Sequence, residues 1–249
     1  MKESISNIIS SFRPINLFEM DVVALLKRVD TKFLLRADQL PALLQKMQSE
    51  YNVLEINNKR ILSYKSLYFD TPEYKFYNEH HNGKIKRIKV RIRKYIDSNL
   101  YFLEVKKKDG KGNTNKSRVK IDSFEEALSS DSKRFISGVI DQELDLQPSL
   151  WNSFERMTLV NTIAKERVTI DMNLQFMMKD QLTKVDNIVI IELKQERFNQ
   201  KSTIVRELRK LGVHQYGFSK YCIGMISTFK NLKYNRFKPK LLRIKKITA

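Results

Sequence analysis

The chain has 249 residues, of which 41% are hydrophobic, and its 47 Lys and Arg against 28 Asp and Glu give a formal net charge of +19. This composition excludes a disordered chain, and the charge surplus predicts a polyanionic partner such as nucleic acid, an anionic membrane surface or a phosphate-rich molecule. The single cysteine, Cys222, excludes an internal disulfide, and no apolar run is long enough for a signal peptide or a membrane span, so we expect a cytoplasmic protein.

Helices are predicted where apolar residues recur with helical spacing and where capping or breaking residues bound the segment. They are two short helices in 4–27 separated at Pro14, a helix over 39–50 capped by Asp38, a helix over 123–143 entered through Ser123, and a helix over 202–211 ended by Gly212. The chain contains few Gly and Pro residues and no low-complexity linker, which favours one domain.

Between the helices, seven stretches alternate charged and apolar side chains with the period of two that a β-strand imposes. They are 28–36, 86–95, 102–108, 116–122, 154–160, 165–171 and 190–196. In the second stretch, one face carries Arg87, Lys89, Arg91 and Arg93. The opposite face of the same stretch has Ile88, Val90 and Ile92 at its centre, so each strand is predicted to separate charge from hydrocarbon.

The charged faces have two interpretations. They are the solvated outer faces of a β-sandwich, whose apolar faces pack between two sheets. Alternatively, the fold is α+β, with the sheet curled into a closed antiparallel β-barrel tunnel that has a charged lumen and is wrapped by amphipathic helices. The predicted helices favour the tunnel. A charged lumen is costly unless a multivalent anion fills it, so the tunnel predicts a binding site for a chain of phosphates.

Eight motifs carry a family resemblance. They are RVDTKFLL (28–35), SLYFDTPEYKFY (66–77), KVRIRKY (89–95), FLEVKKK (102–108), KSRVK (116–120), ERVTID (166–171), IELK (191–194) and FSKY (218–221). In this order, over roughly residues 17–228, they resemble the VTC-type polyphosphate polymerase domain, a branch of the triphosphate tunnel metalloenzymes. The resemblance implies a helix-clad antiparallel tunnel, which we assign to residues 1–229, with a basic tail at 230–249.

The resemblance also implies an activity and its residues. The activity is transfer of the γ-phosphoryl group of a nucleoside triphosphate, ATP by expectation, to a growing polyphosphate chain. The implied catalytic residues are Lys32, Arg91, Arg93, Lys106 and Arg167. The implied phosphate-binding residues are Arg28, Lys116, Arg118, Arg156, Lys194, Ser219 and Lys220. Glu192 matches the glutamate that binds the divalent cofactor, Mn²⁺ or Mg²⁺. Polymerases of this family often have a second lysine before the SK pair, where this chain has Gly217.

The chemistry that the sequence lacks agrees with this activity. His is scarce, and no Ser–His–acid set, CxxC pair or P-loop is present, so nucleophilic and zinc mechanisms lack their residues. Phosphoryl transfer to an acceptor that is already anionic needs mainly positioning and charge neutralisation. Arg87, Lys89 and Lys165 are interpreted as solvated residues or residues of a tunnel mouth.

Two other functions stay open. One is a tunnel-type inorganic or RNA triphosphatase of the same superfamily. The first strand of such hydrolases has an ExExK motif, and this chain has Arg28, Asp30 and Lys32 at the corresponding positions. Arginine in place of the first glutamate removes a metal ligand and adds an anion ligand. A non-catalytic polyphosphate-binding module is the other alternative. Duplex nucleic acid is disfavoured because inward-facing charges on strands are out of its reach.

The tail is interpreted separately. Residues 230–246 are rich in Lys and Arg, contain no acidic residue and have Phe, Tyr and Leu interleaved. They fit a disordered solubilising tail, or a surface that docks product polyphosphate, an anionic membrane or a membrane protein at the inner face of a membrane. Neither the partner nor the oligomeric state is predicted.

Overall fold

Residues 2–21, 29–111 and 113–248 are described by the computed structural model, and they form one eleven-stranded sheet with flanking helices. The helices are α1 (Lys2–Ser10), α2 (Leu17–Asp21), α3 (Leu40–Met47), α4 (Lys75–His81), α5 (Ser130–Ile140), α6 (Thr203–Lys210), α7 (Lys220–Thr228) and α8 (Lys238–Thr248). The strands are β1 (Arg13–Ile15), β2 (Val29–Arg36), β3 (Asn52–Leu54), β4 (Leu62–Asp70), β5 (Arg87–Tyr95), β6 (Leu100–Lys108), β7 (Thr114–Ile121), β8 (Gln147–Asn161), β9 (Glu166–Met178), β10 (Gln181–Val185) and β11 (Ile188–Gln195). Within these ranges, every helix is too short or too polar to cross a membrane.

All seven predicted strands are present, several of them longer than predicted, because β8 and β9 continue past the alternating stretch into buried apolar sequence. The helix at 202–211 is confirmed as α6, and Gly212 beyond it has a φ of +69°. In 4–27, α1 and α2 are separated by the short strand that contains Pro14, while residues 22–27 lie outside the described residues.

Two predicted helix starts are wrong. The Asp38 side chain does not cap α3, because it pairs with Arg36 at 2.7 Å and a 3₁₀ turn precedes the helix. The helix predicted over 123–143 begins at Ser130, where the Ser129 hydroxyl accepts a hydrogen bond from the Ser132 amide at 3.2 Å. Ser123 therefore lies in a loop, and the effective capping serine is six residues further along the chain.

The sheet has the strand order β2-β11-β9-β8-β4-β5-β6-β7, and each of these neighbours is antiparallel. β3 and β10 pair with β8 and β9, and β1 pairs with β3 in parallel. The prediction of a closed barrel is wrong, since β2 and β7 are the two ends of this order and do not pair within the described residues. The free edge of β2 is taken by the loop before α7, where the Tyr216 amide donates to the Lys32 carbonyl at 2.7 Å.

Helices cover the apolar face of the curled sheet. α1, α3 and α6 pack against β2, β8, β9 and β11, and α5 packs against β4, β5 and β6. Leu35, Leu44 and Ile191 are among the residues that are completely buried there. Each such side chain stabilises the fold by about 1.5–3 kcal/mol relative to exposure. The charged sides of the same strands consequently face the concave side of the sheet.

The basic tail is folded onto the body. Phe237 and Ile244 are buried, and the Tyr77 hydroxyl on α4 donates to the Lys233 carbonyl at 2.8 Å. Arg236 donates to the Asn82 carbonyl at 2.6 Å, at the end of the same helix. α8 then packs against β2 and β11. The tail is thus a fixed part of the structure, while the domain boundary at 229 stays a prediction.

One glycine sets how closely α7 approaches the sheet. A Cβ atom at Gly224 would overlap Leu150 Cδ2 and would lie 2.5 Å from Phe176 Cδ1. Both neighbours are buried, so neither can move away without disturbing β8 or β9. Gly224 therefore fixes the position of α7 and, with it, of Ser219 and Lys220 at the start of the helix.

Gly224→Ala should destabilise the protein by about 1–3 kcal/mol, because the added methyl group overpacks the contact between α7 and the sheet. The free energy of unfolding in urea measures this effect. The matched control is Gly138→Ala in α5, where a Cβ atom meets nothing within 4 Å. That control should stabilise by about 0.5–1 kcal/mol through helix propensity. Equal effects of the two substitutions would contradict the packing argument.

Candidate functional site

A cavity of about 700 Å³ opens on the concave side of the sheet. It is lined by side chains from β2, β4, β5, β6, β7, β8, β9 and β11 and from the loop that enters α7. The lining includes every predicted site residue that the structure describes: Lys32, Arg91, Arg93, Lys106, Lys116, Arg118, Arg156, Arg167, Glu192, Lys194, Ser219 and Lys220. Arg28 lies outside the described residues. The structure brings these side chains together, and their individual roles stay predictions.

Strand register produces this convergence. Glu192 on β11 is directly opposite Lys32 on β2 and Thr169 on β9. Further along the strand order of the same sheet, Arg91 on β5 is opposite Glu104 on β6. Because alternate residues of a strand point to the same face, the charged set of every strand faces the same space once these registers are fixed.

Glu104 organises one group of cations in the cavity. Its carboxylate is buried and accepts hydrogen bonds from Arg91 Nε at 2.8 Å and Nη2 at 2.5 Å, and it also pairs with Lys116. Burial would raise the pKa of Glu104, but Arg91, Arg93 and Lys116 outweigh burial and hold the pKa well below its usual range. Glu104 is therefore ionised and fixes both cations.

Asp171 organises a second group in the same way. Arg156 donates to its two oxygens at 2.5 and 2.8 Å, and Lys220 pairs with it from the start of α7. Burial opposes ionisation, yet Arg156 and Lys220 lower the pKa of Asp171 to about 2. Arg156 also lies over the rings of Tyr64 and Phe154, 5.3 Å from each centroid. The guanidinium is thus held in place by a bidentate ion pair and two aromatic faces.

Arg93 and Lys106 have no such carboxylate. Arg93 is buried and donates to the Ser66 hydroxyl at 3.3 Å, and neither residue forms an ion pair within the described part of the chain. Burial, followed by the charge of Arg91, lowers the pKa of Arg93, and the same two causes lower the pKa of Lys106 well below its usual value. Glu104 and Glu192 oppose these shifts without forming an ion pair to either residue. The two side chains are thus only partly compensated, so an anion that enters the cavity gains strong electrostatic stabilisation.

Glu192 is the remaining carboxylate in the cavity lining. Lys194 is 3.4 Å from its Oε1, and although burial would raise the pKa of Glu192, the charges of Lys32 and Lys194 hold it well below the usual range. The opposing Thr169 hydroxyl is buried and has no hydrogen-bond partner among the described residues.

No group of three His, Cys, Asp or Glu side chains able to hold a metal ion occurs in the described residues. One carboxylate and one hydroxyl do not make a complete protein site for a divalent cation. They do fit a cation that receives its other ligands from phosphate oxygens, which is how Mg²⁺ is commonly bound beside nucleotides. The oxygen ligands of Glu192 and Thr169 therefore fit Mg²⁺ or Mn²⁺ only when phosphate oxygens supply the other ligands.

The sequence interpretation missed several residues at the site. Lys89, interpreted as solvated or at a mouth, lines the cavity and donates to the Ser219 hydroxyl at 3.0 Å. Tyr64 and Tyr68 on β4 also line it. They lie two residues before and two residues after Ser66, and this period of two could have indicated that they share a face of the strand. By contrast, Lys165 is exposed in the turn before β9, where its φ is +50°.

Comparisons with known proteins identify a family and a similar fold. The VTC domain family matches residues 27–229. A candidate adenylate cyclase from Bacillus halodurans is similar in fold, with a TM-score of 0.52 at 12% identity over 78% of this chain and 94% of that one. A Hippeastrum protein described as an adenylyl cyclase with dominant triphosphatase activity has a TM-score of 0.49 at 16% identity, over 83% and 99% of the two chains. No curated protein sequence matches. Because the family match covers most of the chain, the chain belongs to the VTC domain family.

Proposed function

We propose that this protein is a polyphosphate polymerase that transfers the γ-phosphoryl group of a nucleoside triphosphate to the end of a polyphosphate chain. The observation that carries the proposal is the excess of Lys and Arg over carboxylates in the cavity, with Arg93 and Lys106 left without an ion-pair partner among the described residues. A linear polyanion with charge on every unit is the ligand that compensates such a cavity over its length.

The reaction requires little beyond this charge. A terminal oxygen of the acceptor chain attacks the γ-phosphorus, the bond from that phosphorus to the β,γ-bridging oxygen breaks, and the nucleoside diphosphate leaves with the bond's electron pair. The acceptor oxygen is already anionic, so no general base is needed. Arg91 and Arg156 present guanidinium groups that Glu104 and Asp171 hold in fixed orientations, ready to bind non-bridging oxygens as charge shifts in the transition state.

The states of the carboxylates favour transfer over hydrolysis. A triphosphatase needs a carboxylate to orient and deprotonate water, but Glu104 and Asp171 have lowered pKa values and their oxygens are occupied by cations. Groups with such low pKa values are weak bases at neutral pH. The sequence change to arginine at position 28 acts in the same direction, because it replaces an acidic residue of the hydrolase motif.

Glu192 and Thr169 would hold a divalent cation that arrives with the nucleotide. A divalent cation held by these residues would supply neutralisation of the charge on the reacting phosphates. Lys32 and Lys194 flank the carboxylate and restrict it to the ionised form, so the side chain is ready to act as a ligand at neutral pH.

The direct test is incubation of the purified protein with ATP and Mn²⁺. Polyphosphate is detected by staining after gel electrophoresis, and free phosphate is measured separately. Polymer supports the proposed function. Free phosphate without polymer would replace it with the triphosphatase function. If neither product forms, the remaining alternative is a polyphosphate-binding module.

Glu192→Gln should lower turnover by about a hundredfold or more, because the cation loses its carboxylate ligand. Affinity for metal-free tripolyphosphate, measured by calorimetry, should stay equal or increase, since a negative charge leaves the cavity. The matched control is Glu196→Gln, at an exposed position just after the same strand. Wild-type turnover in Glu192→Gln, or an equal loss in both variants, would contradict the assignment of Glu192.

Binding of tripolyphosphate should weaken as pH rises from about 7 to about 9, by up to about tenfold. Burial lowers the pKa of Lys116 to about 8, and Glu104, Arg91 and Arg93 are the charged groups that face it. The ligand-free lysine loses its proton through this range, while the bound anion requires the charged form. Calorimetric titrations across the range measure the effect. Lys116→Arg should flatten the pH dependence because arginine stays charged, so equal slopes in both proteins would refute this explanation.

A further inference from the structure

The C-terminal helix places one lysine at the end of the cavity. α8 packs against β2 and β11, and the segment before it is fixed to α4 by Phe237 and by the Arg236 hydrogen bonds to Asn82 and His81. Lys240 follows on the first turn of α8 and is half-buried. Its ammonium lies 3.5 Å from the position that a Cβ atom of Gly217 would occupy.

Two ammonium groups therefore meet the same short loop. Lys240 lies against Gly217, and Lys89 on β5 donates to the hydroxyl of Ser219, two residues further along the chain, at 3.0 Å. This loop leads into α7, whose first turn is capped by the Ser219 side chain. A substitution of Gly217 by a longer side chain would compete for the space that the Lys240 ammonium uses.

The charged side chains that lower the pKa of His80 and of Lys240 are all cations. Nδ1 of His80 lies 3.0 Å from the Cys222 thiol. Burial lowers the pKa of His80 to about 3, and the cations that lower it further are Lys89, Arg87, Lys240 and Lys32. Burial lowers the pKa of Lys240 itself, and Arg87 and Lys32 lower it further. Neither Arg87 nor Lys240 forms an ion pair with any carboxylate of the described residues. Lys240, Lys89 and Arg87, which lies two residues before Lys89 on β5, thus provide three cations on this side of the cavity, none of which forms an ion pair with a carboxylate of the described residues.

Arg87 and Lys240 lie outside the cavity lining, whereas Lys32 and Lys89 belong to it. Cationic side chains therefore continue beyond the lining, beside the loop 217–219. We expect a triphosphate that reacts near Glu192 to contact the lining, and a longer chain of phosphates to reach the two outer cations as well.

We propose that Lys240, with Arg87 and Lys89, forms a second phosphate subsite beside the loop 217–219, which binds units of a polyphosphate chain away from the reacting triphosphate. The inference rests on the proposed function for the identity of the polyanion. It assigns a ligand-binding role to the basic C-terminal helix, which lies beyond the matched family segment. The Lys240 ammonium also places a positive charge beside Gly217, a residue that has no side chain of its own.

The test compares binding of long-chain sodium polyphosphate and of tripolyphosphate, measured by calorimetry without nucleotide or metal. Lys240→Met should weaken binding of the long chain by about tenfold, the value for one lost charged contact. Binding of tripolyphosphate should change by less than about twofold. Lys240→Arg should restore long-chain binding. The matched control is Lys238→Met, an exposed lysine on the same helix, which should bind both ligands like the wild type.

Thermal unfolding separates this effect from misfolding. Lys240→Met removes a charge that Arg87 and Lys32 repel, so the ligand-free melting temperature should stay equal or rise. Long-chain binding by Lys240→Met equal to that of Lys238→Met would overturn the subsite, and so would an equal loss for both ligands. If the wild-type protein binds neither polyphosphate, the proposed function fails together with the subsite. If the protein makes polyphosphate but Lys240→Met does not change its long-chain affinity, only the subsite is refuted.

Discussion

Repulsion among the cations on the concave face of the sheet is the constraint on which the rest of the structure depends. Two buried carboxylates limit it, each by holding two cations: Glu104 holds Arg91 and Lys116, and Asp171 holds Arg156 and Lys220. Removing either carboxylate would leave buried guanidinium and ammonium groups uncompensated, which is far more costly than the loss of an exposed ion pair. These pairs do not cancel the cavity's charge. They fix the geometry of the cations and leave the surplus for a ligand.

α7 connects this charged region to the folded core. Its first residues, Ser219 and Lys220, face the cations, while the following turns pack into apolar concave surface around Phe176 and Leu150. The hydroxyl of Tyr221 donates to Asp70 at 2.5 Å, and the same carboxylate accepts the amides of Phe76 and Tyr77 at the start of α4. Asp70 in the SLYFDTPEY motif therefore has a structural role: it links two helices and the end of β4, so that α7 cannot shift without disturbing α4.

The sequence predicted the strands and their charged faces because period-two alternation is local information. The residues of the cavity lining were selected by the family resemblance and not by the alternation, because Arg36, Lys120 and Lys165 also lie on the charged faces and do not line the cavity. The sequence could not predict how cations and carboxylates pair, because the contact of Arg156 with Asp171 depends on the register between β8 and β9. Nor could it predict that the sheet stays open, because the loop residues Gln215 and Tyr216 that occupy the edge of β2 carry no strand pattern. The two wrong helix starts have a local cause. Asp38 and Ser123 are suitable capping residues by type, but Asp38 pairs with Arg36, and the cap of α5 is supplied by Ser129.

A binding cavity of this kind couples stability to ligand concentration. The apolar clusters under α1, α3, α5 and α6 must offset the cost of the unpaired cations when no anion is present, because burial of hydrocarbon is the stabilising contribution that does not depend on a ligand. A polyanion binds the folded state and relieves the repulsion, so at a concentration of a hundred times Kd it adds about 2.7 kcal/mol to the free energy of unfolding. The helices on the convex side thus have a functional consequence without contacting the site. They supply the stability that allows the concave side to keep its surplus of positive charge when no anionic ligand is bound.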